Sequence, residues 1–371
     1  MASPPRRRLL QILPDGSLGG GSTAVLGLCR DLLATSNWGV SLITAPGSRM
    51  SEQAANAGID TVGIDFFTSR LDLHLAYRLA RRIEAIRPDI IHAHGARAGL
   101  PFCHPALRRA GPLVYTVHGF HHAQKPFPLR QLGRLAERRI AARADAIVFV
   151  SKSDQARAAD ERLLAWHDPK GAVIVNGIDP ADFQGLTASE ERFDLVFAGR
   201  AHPQKNPFFM IEIMEQLLGT GIRLRMICGG ELETAVRARV AASPARAGIA
   251  LSGALPRRDV LRAFLSAKLY VLPSLWEGLP IAPIEALHCG LPVIASKIGG
   301  TDAVVIDGIN GRLIDRFDPR LYASAIRDLL GDDAQRQNLA AQGRAWVERH
   351  FLRPVGSAQH QRLYEALLPQ A

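Results

Sequence analysis

The chain has 371 residues, 47% of them hydrophobic and 22% charged, with a net charge of +10. That length exceeds one ordinary hydrophobic core and fits two α/β domains, and the composition is that of a globular chain rather than a disordered or fibrous one. No apolar run reaches the length that spans a bilayer, and the four scattered cysteines, Cys29, Cys103, Cys228 and Cys289, offer neither a zinc motif nor a disulfide framework, which points to a reducing cytoplasm.

In chain order, "MASPPRRRLLQILPDG" starts basic as a signal peptide does. Its apolar run is too short for one and no small-residue cleavage site follows, so it reads as a first strand entering a loop. Short apolar runs then recur: "VSLITA", "DIIHAH", "LVYTVHG", "AIVFVS" and "AVIVNGI". They read as buried parallel strands, separated by helices expected at 23–36, 72–86, 129–143 and 153–164. Strands alternating with helices predict a doubly wound parallel sheet. After "DPADFQGLTASEERF", which is polar and aperiodic, the pattern restarts with "FDLVFAGR", "RLRMICGG", "IALSG", "LYVLPS", "PVIAS" and "GRLID". This predicts an N-terminal Rossmann-like domain over 1–185 and a second over 186–355, facing a cleft, with a final helix at about 356–371. Ligands of such sheets bind beyond the carboxyl ends of the strands.

Four segments at those ends carry chemistry. "PDGSLGGGST" follows the first strand, and Gly20 with its neighbours lets a ligand approach a helix N-terminus; it is no G-x-G-x-x-G fingerprint, and a plain loop remains an alternative. "IIHAHG" and "VYTVHGFHH" place His92, His94, His118, His121 and His122 near two adjacent strand ends, where a histidine can bind a sugar or phosphate oxygen or move a proton, although some of the five are expected to be structural. No metal site is expected, because no carboxylate or cysteine lies beside them. "FAGRAHPQKNP" sets Gly199, Arg200 and Lys205 between a strand and a helix, a planar fork and a point charge suited to a diphosphate, with two solvated side chains as the alternative.

The strongest signal is "SLWEGLPIAPIEALHCGLPVIAS". Glu277 falls in a loop at the end of a strand, just before a helix whose first turn tolerates proline, and Glu285 falls one to two turns into that helix. Free N–H groups near Gly278 and Leu279 suit phosphate, and the carboxylates suit vicinal hydroxyls. The alternative is that Glu277 caps the helix and Glu285 is solvated, which its apolar neighbours disfavour.

Together these residues resemble glycosyltransferase family 4, retaining enzymes of the GT-B fold, with likeness to members that build bacterial surface polysaccharides. The E-x7-E spacing of Glu277 and Glu285, "VNGID" at 175–179, "AGRAHPQKNP" at 198–207 and "HG" at 118–119 fall in the family's order. The resemblance implies an α/β fold of two Rossmann-like domains, the last helix crossing back to join the first. It implies transfer of a hexose or N-acetylhexosamine from a nucleoside-diphosphate sugar, UDP-linked, with no cofactor beyond that co-substrate and no metal. Arg200 and Lys205 would neutralise the diphosphate, Glu277 would hold sugar hydroxyls, Glu285 the ribose, His118 the sugar and a phosphate oxygen, Gly20 the leaving diphosphate and Leu255 the base. No carboxylate is placed for a double displacement, so the acceptor is expected to attack the face the diphosphate leaves.

The basic charge is uneven. Residues 97–143 hold nine basic side chains and one acid, Glu137. Within "KPFPLRQLGRLAERRIAARADA", Leu129, Leu132, Leu135, Ala136 and Ile140 share a helix face, and Arg130, Arg134, Arg138 and Arg139 spread over the other side. This fits either an ordinary half-buried helix or docking to the anionic inner face of a plasma membrane, where a lipid-linked glycan acceptor would lie. A GT-B epimerase or phosphorylase, and a non-enzymatic nucleic-acid binder, are the rival readings; no pyridoxal lysine is evident, the basic stretch has no interleaved aromatics, and no nucleic-acid partner is expected.

Overall fold

A computed structural model describes residues 7–369 apart from 18, 36, 68–73, 106, 108–110, 121 and 123–124, so the expectation for His121 lies outside the described residues. The chain divides into two units, Met1–Asn176 with Arg353–Ala371, and Gly177–Leu352. The chain crosses between the units twice, after Asn176 and after Leu352, and within the second unit Ile178 and Leu352 form an isolated parallel bridge while Ile178 N–H donates to Phe351 O at 2.8 Å. The aperiodic stretch after residue 180 packs in the second unit: Asp182 pairs with Arg257, and Ser189 hydrogen-bonds Ser266.

The first unit holds seven strands: β1 (Arg7–Ile12), β2 (Trp38–Thr44), β3 (Asp60–Gly63), β4 (Ile90–His94), β5 (Leu113–Val117), β6 (Ala146–Phe149) and β7 (Gly171–Val173). They form one parallel sheet in the order β3-β2-β1-β4-β5-β6-β7. Central strands such as β4 and β5 are buried along their whole length, which is why they read as continuous apolar runs. The edge strand β3, "DTVG", is exposed or half-buried throughout and carries no such run. The last helix, Arg353–Leu367, packs on the helix Gly20–Ala34. Arg353 donates to Gly27 O at 2.9 Å and pairs with Asp31, lying across Gly27 so closely that a Cβ there would sit 2.4 Å from Arg353 Cδ and displace the side chain.

The second unit has β8 (Leu195–Ala198), β9 (Leu224–Ile227), β10 (Ile249–Ser252), β11 (Leu269–Leu272), β12 (Val293–Ser296) and β13 (Gly311–Ile314). Their order is β10-β9-β8-β11-β12-β13, again all parallel. Both sheets reverse direction beside their own first strand, between β1 and β4 and between β8 and β11. Such a switch point leaves a crevice beyond the strand ends, the usual ligand position in a doubly wound fold.

Candidate functional site

At the switch point of the second unit, β8 runs into Gly199 and Arg200, and β11 runs into the loop that holds Glu277. Between β8 and the next helix, a short 3₁₀ turn, Pro203–Lys205, brings Gln204 and Lys205 across to that loop. Lys205 Nζ lies 2.5 Å from Glu277 Oε1, and Ser274 Oγ donates to the same oxygen at 2.7 Å. Gln204 Nε2 donates to Glu277 Oε2 at 3.2 Å and to Trp276 O at 3.0 Å, and Leu275 N–H closes the junction on Gln204 O. Lys205 packs over Gly199, where a Cβ would stand 3.2 Å from Lys205 Cγ.

The Glu277 side chain is 5% exposed and that of Lys205 is 16% exposed, so the pair is held largely away from water. An ionised carboxylate offers about four lone-pair sites, three of which are taken, which leaves capacity for a further hydroxyl donor. Arg200 is exposed and forms no side-chain hydrogen bond or ion pair with the described residues. The sequence expectation set both cations on a diphosphate; in this structure Lys205 is already committed to Glu277, and Arg200 is the one of the two open to a ligand.

Gly278 and Leu279 lead into the helix Ile281–His288, with Pro280 as its extended N-cap. The first N–H groups of that helix have no acceptor within it. Gly290, in left-handed conformation at φ +80°, ends the helix. Glu285 is buried in the helix. Arg257, the first residue of the helix Arg257–Leu265, brings Nη1 to 2.6 Å from Glu285 Oε1, while Asp182 holds another of its nitrogens at 3.0 Å. The contact with Glu285 is a close charge pair. Burial pushes the Glu285 carboxyl up to about 7; the Arg257 guanidinium pulls against that rise and Asp182 adds to it. Leu255 is half-buried in the turn just before Arg257.

The supports of this loop were not foreseen from sequence. Arg257 and Asp182 lie far from Glu285 along the chain and belong to no short motif. Gly300, at φ +86°, packs under the loop, where a Cβ would meet Gly278 O at 1.7 Å. The glycine pair in "SKIGG" was its only trace.

At the switch point of the first unit, the three glycines are not a loop. Gly20 and Gly21 form the first turn of the helix Gly20–Ala34, and Ser22 Oγ accepts from Gly19 N–H at 2.7 Å. The helix starts three residues before the expected 23, because glycine is a poor helix former and its turn reads as loop; Thr23 N–H donating to Gly19 O at 2.9 Å closes that turn. His118 follows β5 and its ring lies beside Gly21, 3.7 Å from where a Cβ would be. His118 Nε2 is 3.1 Å from His94 Nδ1. His92 and His94 are buried in β4, and burial holds both well below the ordinary histidine range. His122 is also buried, with Nε2 2.7 Å from Glu161.

The arginine helix spans Leu129–Arg143. It buries Glu137, Ile140 and Ala141, and it leaves Leu129, Leu132 and Leu135 exposed. Glu137 is tolerated inside because Tyr115 donates to it at 2.7 Å and burial raises its carboxyl to about 7. Arg130, Arg138 and Arg139 are exposed, whereas Arg134 turns inward and donates to Glu161 O at 3.2 Å. Phe127, just ahead of the helix, is 77% exposed and Leu132 is 59% exposed. Among the described residues no helix is long and apolar enough to cross a membrane, and no cluster of three metal-ligating side chains occurs.

Residues 179–346 match the family described as Glycosyl transferases group 1, and residues 18–182 match Glycosyltransferase Family 4. A D-inositol 3-phosphate glycosyltransferase of Xylanimonas cellulosilytica is 29% identical over 286 residues, 70% of this chain and 68% of that protein. The enzyme of the same name from Mycobacterium marinum is 30% identical, over 69% of this chain and only 57% of its own length. An Escherichia coli UDP-Gal:alpha-D-GlcNAc-diphosphoundecaprenol alpha-1,3-galactosyltransferase is 28% identical over 69% of this chain and 70% of its own. Among solved structures, Anabaena Alr3699/HepE in complex with UDP and glucose superposes with a TM-score of 0.83 at 16% identity, covering 98% of this chain and all of that one. The sucrose-phosphate synthase of Thermosynechococcus elongatus gives 0.80 at 19% identity, covering 98% of this chain and 99% of that one. At those identities the superpositions speak for the fold, which is GT-B. With the two family matches together running from residue 18 to 346, the chain belongs to glycosyltransferase family 4 and is a glycosyltransferase.

Proposed function

We propose that the protein is a retaining transferase that moves a hexose or N-acetylhexosamine from a UDP-linked donor to a lipid-linked glycan acceptor. The observation that carries the donor half is the cluster at the β8/β11 switch point: a buried carboxylate with one acceptor position left, an exposed arginine, a helix N-terminus and a second buried carboxylate paired with Arg257, all within the second unit. The E. coli relative, named for a UDP-sugar donor and a diphosphoundecaprenol-linked acceptor, and the HepE complex with UDP support the same choice of donor.

In this reading Arg200 and the start of the helix Ile281–His288, around Gly278 and Leu279, take the charge that develops on the departing diphosphate, the term that dominates such catalysis. Lys205 orients Glu277, so that Glu277 accepts from a sugar hydroxyl. Three donors already fix Glu277, which suits it to orientation rather than to nucleophilic attack. Glu285 accepts from ribose hydroxyls, Leu255 flanks the base, Gly20 lets the first unit's helix start approach the leaving group, and His118 contacts the sugar. With no carboxylate nucleophile placed, the acceptor attacks on the side the diphosphate leaves and the leaving phosphate accepts its proton.

On the first unit, exposed Phe127, Leu129, Leu132 and Leu135 alternate with Arg130, Arg138 and Arg139, a surface that favours an anionic bilayer and hence a lipid-linked acceptor at the inner face of the plasma membrane. The test is a thermal-shift screen of nucleotide-sugars followed by transfer assays with the best donor on polyprenyl-diphosphate-linked sugars and on inositol phosphate. Lys205→Ala and Glu285→Ala are expected to abolish transfer with the fold retained. Wild-type rates in either variant, or turnover of the donor to its epimer without acceptor, would overturn the assignment.

A further inference from the structure

Three charged side chains from three separate elements of the second unit meet around one guanidinium. Glu285 lies in the helix Ile281–His288, Arg257 opens the helix Arg257–Leu265, and Asp182 lies in the 3₁₀ turn Pro180–Phe183. That turn is fixed against both helices. The Phe183 ring meets the His288 ring edge-on with centroids 4.5 Å apart, and Arg258 Nη2 donates to Gly185 O at 3.4 Å. Asp182 is therefore held beside Arg257 by contacts that do not depend on their ion pair.

A guanidinium commonly gives its whole fork to one carboxylate. Arg239 does so in this unit, with Nη1 at 2.8 Å and Nη2 at 3.0 Å from the two oxygens of Glu215. Arg257 divides its fork instead. Nη1 stands 2.6 Å from Glu285 Oε1, and Nη2 donates to Asp182 Oδ2 at 3.0 Å. One cation thus serves two carboxylates, of which the Glu285 side chain is 8% exposed and that of Asp182 is 40% exposed. The division shows in the Glu285 carboxyl: burial pushes it up to about 7, the Arg257 guanidinium pulls it down, and Asp182 pushes it up again. Tyr270 of β11 and Cys289 sense the Glu285 charge, and burial raises both away from neutral pH. His288 on the same helix is lowered by burial and by the charge of Arg344, from the helix Asp333–His350.

We infer that Arg257 and Asp182 are positioning residues for donor binding: Arg257 holds Glu285 by one nitrogen, and Asp182, by holding the other, keeps the guanidinium from closing over both oxygens of that carboxylate. This rests on the assignment of Glu285 to the ribose. Without any cation, a carboxylate so buried would keep its proton and be a weaker acceptor for a hydroxyl. With the whole fork on it, the carboxylate would be ionised but would have fewer lone pairs to offer. The divided fork avoids both outcomes.

The first measurement needs no donor. It follows the carboxyl carbon of Glu285 through a pH titration of the full chain labelled with 13C-glutamate, assigned through Glu285→Gln. Asp182→Ala is expected to lower the titration midpoint by about one unit or more, and Arg257→Met to raise it by about as much. Unmoved midpoints, or shifts of the same sign, would overturn the inference. The second measurement is the affinity for UDP at pH 8, where its terminal phosphate is ionised, by isothermal titration. A lysine has one nitrogen and cannot close over two oxygens. Asp182→Ala is therefore expected to weaken UDP about tenfold beside Arg257, but less than about twofold when combined with Arg257→Lys. A purely structural role for Asp182 would cost the same on both backgrounds, so equal losses would also overturn the inference. Should Asp182→Ala not fold, Asp182→Asn, which keeps the shape and removes the charge, takes its place with the same signs expected. Wild-type UDP affinity in Glu285→Gln, with the midpoints moving as stated, would instead remove the ribose assignment while confirming that Asp182 divides the fork.

Discussion

If Glu285 receives ribose hydroxyls, donor binding must draw a proton from it. Burial raises its carboxyl to about 7, against the relief offered by Arg257, and Asp182 on the far side of that arginine raises it further. The other titratable group on the same helix, His288, is lowered by burial and by Arg344. Hydroxyl donors favour the ionised carboxylate, so the binding-competent fraction of the free protein is about one tenth at pH 6 and about nine tenths at pH 8. Apparent affinity for a UDP-sugar should therefore rise about tenfold, about 1.4 kcal/mol, between those values and level off above them. A diphosphodiester does not titrate in this window, so the dependence belongs to the protein. Isothermal titration of a non-transferable UDP-sugar analogue in buffers of different ionisation enthalpy would read both the affinity and the proton, with up to one proton released at pH 6. Glu285→Gln should bind more weakly at pH 8 and lose the slope. A flat affinity from pH 6 to 8 in the wild type, or the same slope in Glu285→Gln, would refute the reasoning. The sign for stability is opposite. A carboxyl raised in the folded state binds its proton more tightly there, so its contribution is full below the unfolded value and is lost as pH rises towards about 7.

Removing Lys205 alone leaves Glu277 buried without its cation, so Lys205→Met should cost about 3 kcal/mol, while Lys205→Met with Glu277→Gln should recover most of that in denaturant titrations yet bind no donor. A single-variant loss under about 0.5 kcal/mol would show the pair to be unimportant to the fold. Gly300→Ala combines an unfavourable φ with a collision against Gly278 O, so donor binding should be lost while circular dichroism and the first unit's hydrogen-exchange protection persist; donor affinity at the wild-type level would contradict the packing. Phe127→Ser with Leu132→Ser should weaken sedimentation with anionic vesicles by about tenfold, at about 1.5–3 kcal/mol per buried apolar side chain less the part left exposed, without changing transfer to a water-soluble acceptor. Equal binding of wild type and variant, or equal binding of the wild type to neutral and anionic vesicles, would remove the membrane from the account.

What the sequence displays depends on how local the cause is. Interior parallel strands are apolar on both faces, so "LYVLPS" and "DIIHAH" are legible as strands without knowledge of their partners, while the edge strand "DTVG" is not. Helical periodicity shows that Leu129, Leu132 and Leu135 share a face but not whether anything covers it, and the chain covers Glu137 and Ile140 instead. The same division runs through the site. Glu277, Glu285, Arg200 and Lys205 stand in short motifs because each lies at a strand end or beside a helix start, and that spacing is local. Their supports come from elsewhere in the chain: Asp182 and Arg257 for Glu285, Gly300 for the Glu277 loop, Gln11 and Tyr364 for the histidines. A support is defined by the atom it faces, and strand order, not sequence distance, decides which atoms face each other. The switch point makes this concrete: β8 and β11 are neighbours although two strands intervene in sequence, and that adjacency alone places Lys205 on Glu277. The motif therefore displays the carboxylates and the cations, while the raised pKa of Glu285 and the hydrogen-bond partners of the buried histidines are set by residues that only the folded chain brings near.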